Sequence, residues 1–285
     1  MAGGDPSFQL AGKNATPEQI ESIRNELGLN QSLFMQYMDF VKQTITFDWG
    51  ESWHTRENIN QMILKGIGPT LCLTGPAFLI SFFLSLMIAL FSASSKGSLV
   101  FVDQSITTLC LTLMSISFLV YIITFQYFFA FKLSWFELNG WDESWSGRWA
   151  YLVLPWIISV VVSLGPNILI FKAAIIDEVD RDYVRTARAK GINRLTLFSQ
   201  HILKNAMIPI STIVIMQIPF LITGSLLLES FFGIPGLGGL LIQSIQNADF
   251  PVVKAFTVIG SILFLFFNLV TDLLYTWIDP RVKLQ

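Results

Sequence analysis

Residues 70–92 read TLCLTGPAFLISFFLSLMIALFS and contain no charged side chain. A helix needs about 20 mostly apolar residues to cross the hydrocarbon core of a bilayer, and this stretch has that length. Four further stretches have the same character, namely 106–131, 150–171, 206–228 and 252–278. We therefore expect an all-α, polytopic membrane protein in which five visible spans form a helical bundle.

The composition of the whole chain agrees with a lipid environment. Of its 285 residues, 53% are hydrophobic and 13% are charged, whereas a soluble domain carries roughly 25% charged residues. The net charge is −2 without a long basic run, which argues against nucleic acid as a partner. Cys72 and Cys110 lie inside apolar runs, and His54 and His201 stand apart from any cluster. We expect no metal, cofactor or enzyme active site in this chain.

The distribution of basic residues predicts the orientation. A loop rich in Lys and Arg faces the cytoplasm by the positive-inside rule. The loop 172–205 is rich in such residues, which are Lys172, Arg181, Arg185, Arg188, Lys190, Arg194 and Lys204. Arg281 and Lys283 follow the last span on the same side. The membrane domain 70–285 then has outer loops at 132–149 and 229–251, and the segment 1–69 is expected to lie outside as well.

The segment 1–69 is predicted to be helical. Thr16-Pro17-Glu18-Gln19 has the pattern of a capping box with proline at the first helical position, and Gly28 supplies a stop signal. A second amphipathic helix is expected over residues 32–46. Nothing before Thr70 is apolar enough to form a span or a signal peptide. We expect a first span to precede Met1, the alternative being an odd number of spans with a translocated N-terminus.

A short helix is predicted within the cytoplasmic loop 172–205. Opposite charges at spacings of three and four residues favour a helix, and Gly191 is placed to end it in the left-handed conformation. Small alanines, among them Ala187, would let a partner approach closely. The candidate residues for contact with a partner are Asp182, Tyr183, Arg185, Thr186, Ala187, Arg188, Ala189, Lys190 and Gly191. The residues alone leave two interpretations open, docking to a cytoplasmic partner or lying on anionic lipid.

The outer loop 229–251 is rich in glycine. Its candidate residues are Phe232, Gly233, Pro235, Gly236 and Gly238. Glycine permits unusual dihedral angles and close approach of the backbone. The loop is interpreted either as an outer gate or docking surface, or as a tight re-entrant turn that only closes the bundle.

The cytoplasmic loop resembles the EAA-type coupling segment of ABC importer permeases, through DYVRTARAKG at 182–191 and HILKNAMIP at 201–209. In detail the chain is similar to the first (B-type) permease subunit of the oligopeptide/dipeptide (and nickel) family. The resemblance covers nearly the whole chain through ordered landmarks: Gly4-Asp5-Pro6, Leu27-Gly28-Leu29-Asn30-Gln31, Phe47-Asp48-Trp49-Gly50-Glu51-Ser52, Pro69-Thr70-Leu71, Phe232-Gly233-Ile234-Pro235-Gly236-Leu237-Gly238, Asp249-Phe250-Pro251, Asp272-Leu273-Leu274-Tyr275 and Asp279-Pro280-Arg281-Val282.

The chain departs from this family at two points. Members of the family begin with a span before the Gly-Asp-Pro landmark, and this chain shows none there. The early acidic position of the EAA segment is also degenerate, because Lys172-Ala173-Ala174 precedes Ile175-Ile176-Asp177-Glu178.

The resemblance implies a type I ABC importer permease in the bacterial plasma membrane. Its partners would be a second permease subunit, two cytoplasmic ATPase subunits, an external solute-binding protein and membrane lipid. ATP and Mg²⁺ would bind in the ATPase partners, since this chain lacks the phosphate-binding loop G-x-x-x-x-G-K-[ST]. An ion-gradient-driven secondary transporter is the alternative, although no series of carboxylates suggests proton coupling. The residues do not select among peptide, nickel chelate and other small solutes.

Overall fold

The computed structural model describes residues 7, 15–26, 30–95, 100–193 and 196–278. These residues form helices joined by turns, with one isolated β-bridge between Glu51 and Asn58. The helices are α1 Pro17–Glu26, α2 Leu33–Thr46, α3 Ile59–Ser95, α4 Val100–Met114, α5 Phe118–Phe125, α6 Arg148–Val179, α7 Asp182–Ala189, α8 Leu203–Thr223, α9 Leu226–Phe232, α10 Leu237–Gln246 and α11 Phe250–Ile278. A π-helix, Gln126–Lys132, continues α5, and another, Leu197–Ile202, leads into α8.

Within the described ranges, four helical stretches are long and apolar enough to cross a membrane. They are Ile59–Ser94, Arg148–Val179, Leu197–Phe232 and Phe250–Leu273. The spans predicted at 70–92, 150–171, 206–228 and 252–278 are thereby confirmed. The first of these helices begins well before residue 70, because the segment from Ile59 continues the helix outward beyond the apolar stretch.

The span predicted at 106–131 is broken rather than continuous. Val100–Met114 and Phe118–Lys132 meet at an angle of 87° and form a fifth span only if the bent pair is counted as one. The hydroxyl of Ser115 donates to the carbonyl of Leu111 at 2.8 Å, and Ser117 has an extended backbone (φ −61°, ψ 141°). Serine side chains that bond to nearby backbone bend helices and favour caps, which accounts for a break without proline or glycine.

The bundle is built on the packing of α3 against α6. Phe82 and Phe171 meet edge to face at 5.8 Å between ring centroids. Gly165 of α6 lets α4 approach, because a Cβ there would lie 2.9 Å from the carbonyl oxygen of Cys110. Many apolar side chains, such as Phe83 and Leu265, remain exposed on the outside of the bundle. An apolar surface of this kind suits contact with lipid or with another membrane subunit.

The segment before α3 folds as the sequence predicts. The backbone N–H of Thr16 donates to the Oε1 of Gln19 at 3.0 Å, and the N–H of Gln19 donates to the Oγ1 of Thr16 at 3.4 Å. This reciprocal pair is the predicted capping box. Ser32 caps α2 through a single hydrogen bond, which its hydroxyl oxygen accepts from the N–H of Met35 at 3.3 Å.

Several predictions fall on parts of the chain that the structure does not describe. They concern the helix stop at Gly28, the cations Arg194, Arg281 and Lys283, and the landmarks at 4–6 and 279–282.

Contacts between distant segments show which loops lie together at each end of the bundle. Asp249, after α10, accepts hydrogen bonds from the N–H groups of Trp53 and His54 and from the hydroxyl of Ser52. The N–H of Gly140 donates to the carbonyl of Phe232 at 2.9 Å. The N-terminal segment and both predicted outer loops therefore share one end of the bundle. At the other end, α7 packs in one buried cluster with Ala93 of α3.

Candidate coupling and gating sites

Helix α7, Asp182–Ala189, is the predicted coupling helix, and its C-terminal end is as expected. Gly191 follows it with φ +75°, the left-handed conformation that favours glycine. The N–H of Ile192 donates to the carbonyl of Ala187 at 3.3 Å and so satisfies a terminal carbonyl of the helix. The chain turns there and proceeds toward the π-helix Leu197–Ile202.

The structure corrects the orientation expected for Ala187. Val184 is fully buried and Ala187 is only 8% exposed, both in a cluster with Leu197 and Phe198. Ala187, which was expected to face a partner, therefore faces the chain's own core. The reason is that residues three apart share a face, and the bulkier Val184 sets which face is covered. The exposed coupling residues are Asp182, Arg185, Thr186, Arg188, Ala189, Lys190 and Gly191.

Polar contacts join α7 to the end of α6. The hydroxyl of Tyr183 donates to Glu178 at 2.8 Å. Burial raises the pKa of the Tyr183 phenol, and a tyrosine hydroxyl is in any case protonated and a donor at neutral pH. Arg181 lies 3.8 Å from Glu178, whereas Arg185 and Asp182, 3.6 Å apart, are an exposed pair. An exposed pair contributes little, so Tyr183 is the principal polar tie.

A buried ion pair lies beneath this region. The Lys172 ammonium is 2.5 Å from an Asp103 carboxylate oxygen and donates to the Thr107 hydroxyl at 2.8 Å. Asp103 also accepts from the hydroxyl of Ser92 at 2.6 Å. The contacts connect α3, α4 and α6. Lys172 is the first residue of the predicted cytoplasmic loop 172–205. In the structure it lies in the last part of α6 and is buried, with Asp103 and Thr107 as its partners.

The glycine-rich loop folds around the carboxylate of Glu229 in α9. The side chain of Glu229 is fully buried. Its Oε1 accepts from the Thr70 hydroxyl at 3.0 Å and from the Ser225 N–H at 3.2 Å, and its Oε2 accepts from the Gly239 N–H at 2.9 Å. The Thr70 oxygen in turn accepts from the Leu237 N–H at 2.8 Å. We call these five residues the Glu229 network. It joins α3, α9 and α10.

Close approach explains the glycines of this loop. A Cβ at Gly236 would lie 2.5 Å from both Glu229 Oε2 and Thr70 Oγ1. A Cβ at Gly238 would lie 2.8 Å from the backbone nitrogen of Leu226. Among the predicted loop residues, Phe232 is buried (1% exposed), as are Gly236 and Gly238, whereas Gly233 and Pro235 are exposed. A surface for a partner at this loop would therefore consist of Gly233 and Pro235 rather than Phe232.

Two cavities adjoin the network. The inner cavity, of about 350 Å³, is an open cleft lined mainly by α3, α6 and α8, and the described residues that line it carry no charge. Its polar side chains are Thr74, Ser81, Ser159, Ser163, Asn167, Gln217 and Ser225. The outer cavity, of about 330 Å³, lies at the end that holds the N-terminal segment and is bordered by Lys65, Pro235 and Gly239.

Comparison with known families decides the identity. A family model described as "Binding-protein-dependent transport system inner membrane component" matches residues 83–284, and the corresponding N-terminal model matches residues 1–74. The chain belongs to this family. It is accordingly a multi-pass permease subunit of an ABC importer in the plasma membrane, it is not an enzyme, and it acts within a larger transport complex.

Curated relatives align along nearly the whole permease. A probable peptide ABC transporter permease, y4tP, of Sinorhizobium fredii is 31% identical over 99% of this chain and 91% of its own length. A putative peptide transport system permease of Brucella abortus is 32% identical over 98% of this chain and 90% of its own. The glutathione transport system permease GsiC of Escherichia coli K12 is 31% identical over 99% of this chain and 90% of its own.

The sequence analysis missed the acidic residues that organise this permease. Glu229 and Asp249 accept hydrogen bonds from distant parts of the chain, and Asp103 forms an ion pair with the distant Lys172. The available signal was a single acidic residue inside an otherwise apolar or uncharged stretch, as in LLLESFF at 226–232. Such a residue is costly to bury unless it is satisfied, so its presence indicates a partner without identifying it.

Proposed function

We propose that this permease carries peptides or similar small solutes, together with a second permease subunit that completes the pathway. Two cytoplasmic ATPase subunits, which hold ATP and Mg²⁺, bind α7 and the turn at Gly191. An external solute-binding protein delivers its cargo to the outer face. Peptide as the cargo is supported by the names of the relatives, two of which are peptide permeases and one a glutathione permease.

The observation that carries the coupling role is the two-sided character of α7. On one side of α7, Val184 and Ala187 pack in the buried cluster of the bundle. On the other side, Arg185, Thr186 and Ala189 are exposed. A helix that is rigidly attached to the spans and exposed on its other face transmits displacement in both directions. A partner biases the permease only if it contacts α7 differently in the two states.

The inner cavity fits a pathway for peptides. Its polar lining is made of hydroxyls and of the amides of Asn167 and Gln217. The Gln217 Nε2 donates to the Asn167 Oδ1 at 3.5 Å. Hydroxyls and amides both donate and accept hydrogen bonds, as the peptide group does. A lining without charge does not select for the charge of a side chain. Family membership also favours ATP-driven import over the ion-gradient alternative.

The domain assignment follows from these roles. Residues 1–69 form an outer segment whose helix α3 already begins at Ile59, and 70–285 form the membrane domain. The loop 172–205 faces the cytoplasm and the loop 229–251 faces outward. Support comes from the contacts of Asp249 with residues 52–54, which keep the two outer segments at one end.

Copurification tests the proposal. The chain is tagged, coexpressed with its gene neighbours and purified, and ATPase activity is measured in liposomes with and without peptide-loaded binding protein. We expect a second permease and ATPase subunits to copurify. Ala189→Glu, on the exposed side of α7, should release the ATPases, whereas Gln61→Glu, exposed at the outer end of α3, should not. A chain that purifies alone and moves solute along an ion gradient contradicts the proposal.

A further inference from the structure

The Glu229 network forms the partition between the two cavities. Gly224 and Ser225 lie in the wall of the inner cavity, and Gly236 and Gly239 lie in the wall of the outer cavity. The N–H groups of Ser225 and Gly239 both donate to the Glu229 carboxylate, at 3.2 and 2.9 Å. One buried side chain thus connects the wall of one cavity to the wall of the other.

The partition is thin. A Cβ at Gly224 would lie 3.0 Å from the backbone nitrogen of Gly238 and in collision with Glu229 Oε1. The two backbone segments are therefore in contact across the carboxylate, without a layer of side chains between them. Separation of these segments would join the two cavities directly.

Helix α9 has the features of a movable element. It is a single short helix, Leu226–Phe232, and a glycine of positive φ stands on each side of it: Gly224 at +85° and Gly233 at +64°. Glycine absorbs dihedral changes at low cost, so these positions suit hinges. Between the hinges, Glu229 ties α9 to Thr70 of α3 and to Gly239 of α10. The buried side chains of Leu228 and Phe232 also hold this helix in the bundle.

The hydrogen bonds described for the Glu229 side chain are all ones that its carboxylate accepts. Three donors converge on the two oxygens of Glu229, and an ionised carboxylate can accept from all of them. The carboxamide of glutamine replaces one oxygen with an NH₂ donor. Whichever way it is turned, the N–H of Ser225 or of Gly239 faces that donor and loses its acceptor. A buried N–H without a partner is strongly unfavourable.

We propose that Glu229 is the positioning residue of an outer gate. Its carboxylate holds α9 and the glycine loop against Thr70, and this closes the partition between the inner and outer cavities. Release of the hydrogen bonds lets α9 turn about Gly224 and Gly233 and opens a continuous route from the outer side into the bundle. The inference deepens the proposed transport function and rests on it, but it concerns a barrier that can be probed without transport.

Accessibility of an introduced cysteine tests the gate. Ser163 lines the inner cavity, and Ser163→Cys is placed in a background in which Cys72→Ala and Cys110→Ala remove the native thiols. Right-side-out vesicles that contain the complete transport complex, without ATP, are exposed to a membrane-impermeant methanethiosulfonate. The rate of modification reports whether the reagent passes the partition from the outside.

We expect Glu229→Gln and Thr70→Val to raise the modification rate about tenfold, the scale of one unmade buried hydrogen bond. Thr70→Ser keeps the hydroxyl and should restore the parental rate. Glu137→Gln is the matched control, because it makes the same substitution at an exposed position of the outer loop 132–149.

The outcomes separate the gate from a structural role and from the transport function. Equal modification rates in all variants overturn the gate. So does a loss of both Glu229→Gln and Thr70→Val from the membrane while Thr70→Ser is retained, because the network then serves folding alone. Failure of ATPase subunits to copurify contradicts the proposed function. The labelling rates then still decide whether Glu229 closes the partition.

Discussion

Lys172 of α6 and Asp103 of α4 form a buried ion pair of 2.5 Å at the end of the bundle that carries α7. Their side chains are 11% and 19% exposed, and the hydroxyls of Thr107 and Ser92 complete the site. Removing one member of a buried pair leaves an uncompensated charge, which costs more than the pair itself contributes. The relationship therefore predicts an asymmetry between single and double substitutions.

The single substitution Lys172→Met should destabilise the permease by about 3–5 kcal/mol. The double substitution Lys172→Met with Asp103→Leu should recover most of that loss, because no unpaired charge remains. The measurement is the thermal unfolding midpoint of the detergent-purified complex. Lys65→Met serves as control, since Lys65 and Glu57 are exposed and 4.0 Å apart. A double variant less stable than either single variant would be inconsistent with this explanation.

Substitutions at Ala187 and Ala189 should separate folding from coupling. Ala187→Glu places a charge among Val184, Leu197 and Phe198, so we expect less protein in the membrane and a lower unfolding temperature. Ala189→Glu lies on the exposed side of α7 and should leave both unchanged while weakening ATPase binding. Quantitative immunoblots and thermal unfolding measure the first effect. Normal stability of Ala187→Glu would show that this face of α7 is not packed as described.

The Tyr183–Glu178 hydrogen bond predicts a pH dependence. Burial raises the pKa of Tyr183 above its ordinary value of 10.0, so the folded state holds the phenolic proton more tightly than the unfolded state. Its contribution is complete below about pH 10 and disappears as the pH rises through the raised pKa. Tyr183→Phe should therefore lower stability by about 1 kcal/mol at pH 7, with the difference vanishing in strong alkali.

Unfolding of wild type and Tyr183→Phe between pH 7 and the alkaline limit of the complex tests this dependence. The control is Tyr37→Phe, at an exposed tyrosine of α2, which should show no such trend. If the stability advantage of wild type over Tyr183→Phe grows toward alkaline pH, the prediction that the Tyr183 phenol donates a hydrogen bond is contradicted.

The sequence predicted the features that depend on local pattern. Hydropathy located the spans, and Thr16 with Gln19 and Gly191 marked helix ends, because caps use residues close in sequence. The break before Ser117 was missed, since serine is only a weak helix breaker. The Glu229 network was missed because it requires convergence of α3, α9 and α10. The sequence also does not show which face of α7 packs against the rest of the chain, because alanines occur on both the buried and the exposed face.

Asp249 should hold the N-terminal segment against the bundle. Its carboxylate accepts from the N–H groups of Trp53 and His54, and Asp249→Ala removes both acceptors. We expect trypsin, added to right-side-out vesicles, to cleave several times faster at Arg56 in this variant. Asp39→Ala, on exposed α2, is the control. Protection of Arg56 from trypsin in every variant would contradict the outward location of the segment.

The turn at Gly191 should tolerate residues according to their backbone preference rather than their size. Its φ is +75°, and a Cβ added there meets no atom within 4 Å, so conformational strain decides the effect. The left-handed conformation costs alanine about 1–2 kcal/mol, whereas asparagine adopts it more readily. Proline fixes φ near −65° and removes the N–H that bonds to the Arg188 carbonyl at 3.0 Å. The ratio of peptide uptake to ATP hydrolysed in liposomes should therefore fall in the order Gly191, Gly191→Asn, Gly191→Ala, Gly191→Pro, with uptake nearly abolished in the last. An order in which Gly191→Ala exceeds Gly191→Asn would mean that side-chain bulk against a partner, and not the turn, governs coupling at this position.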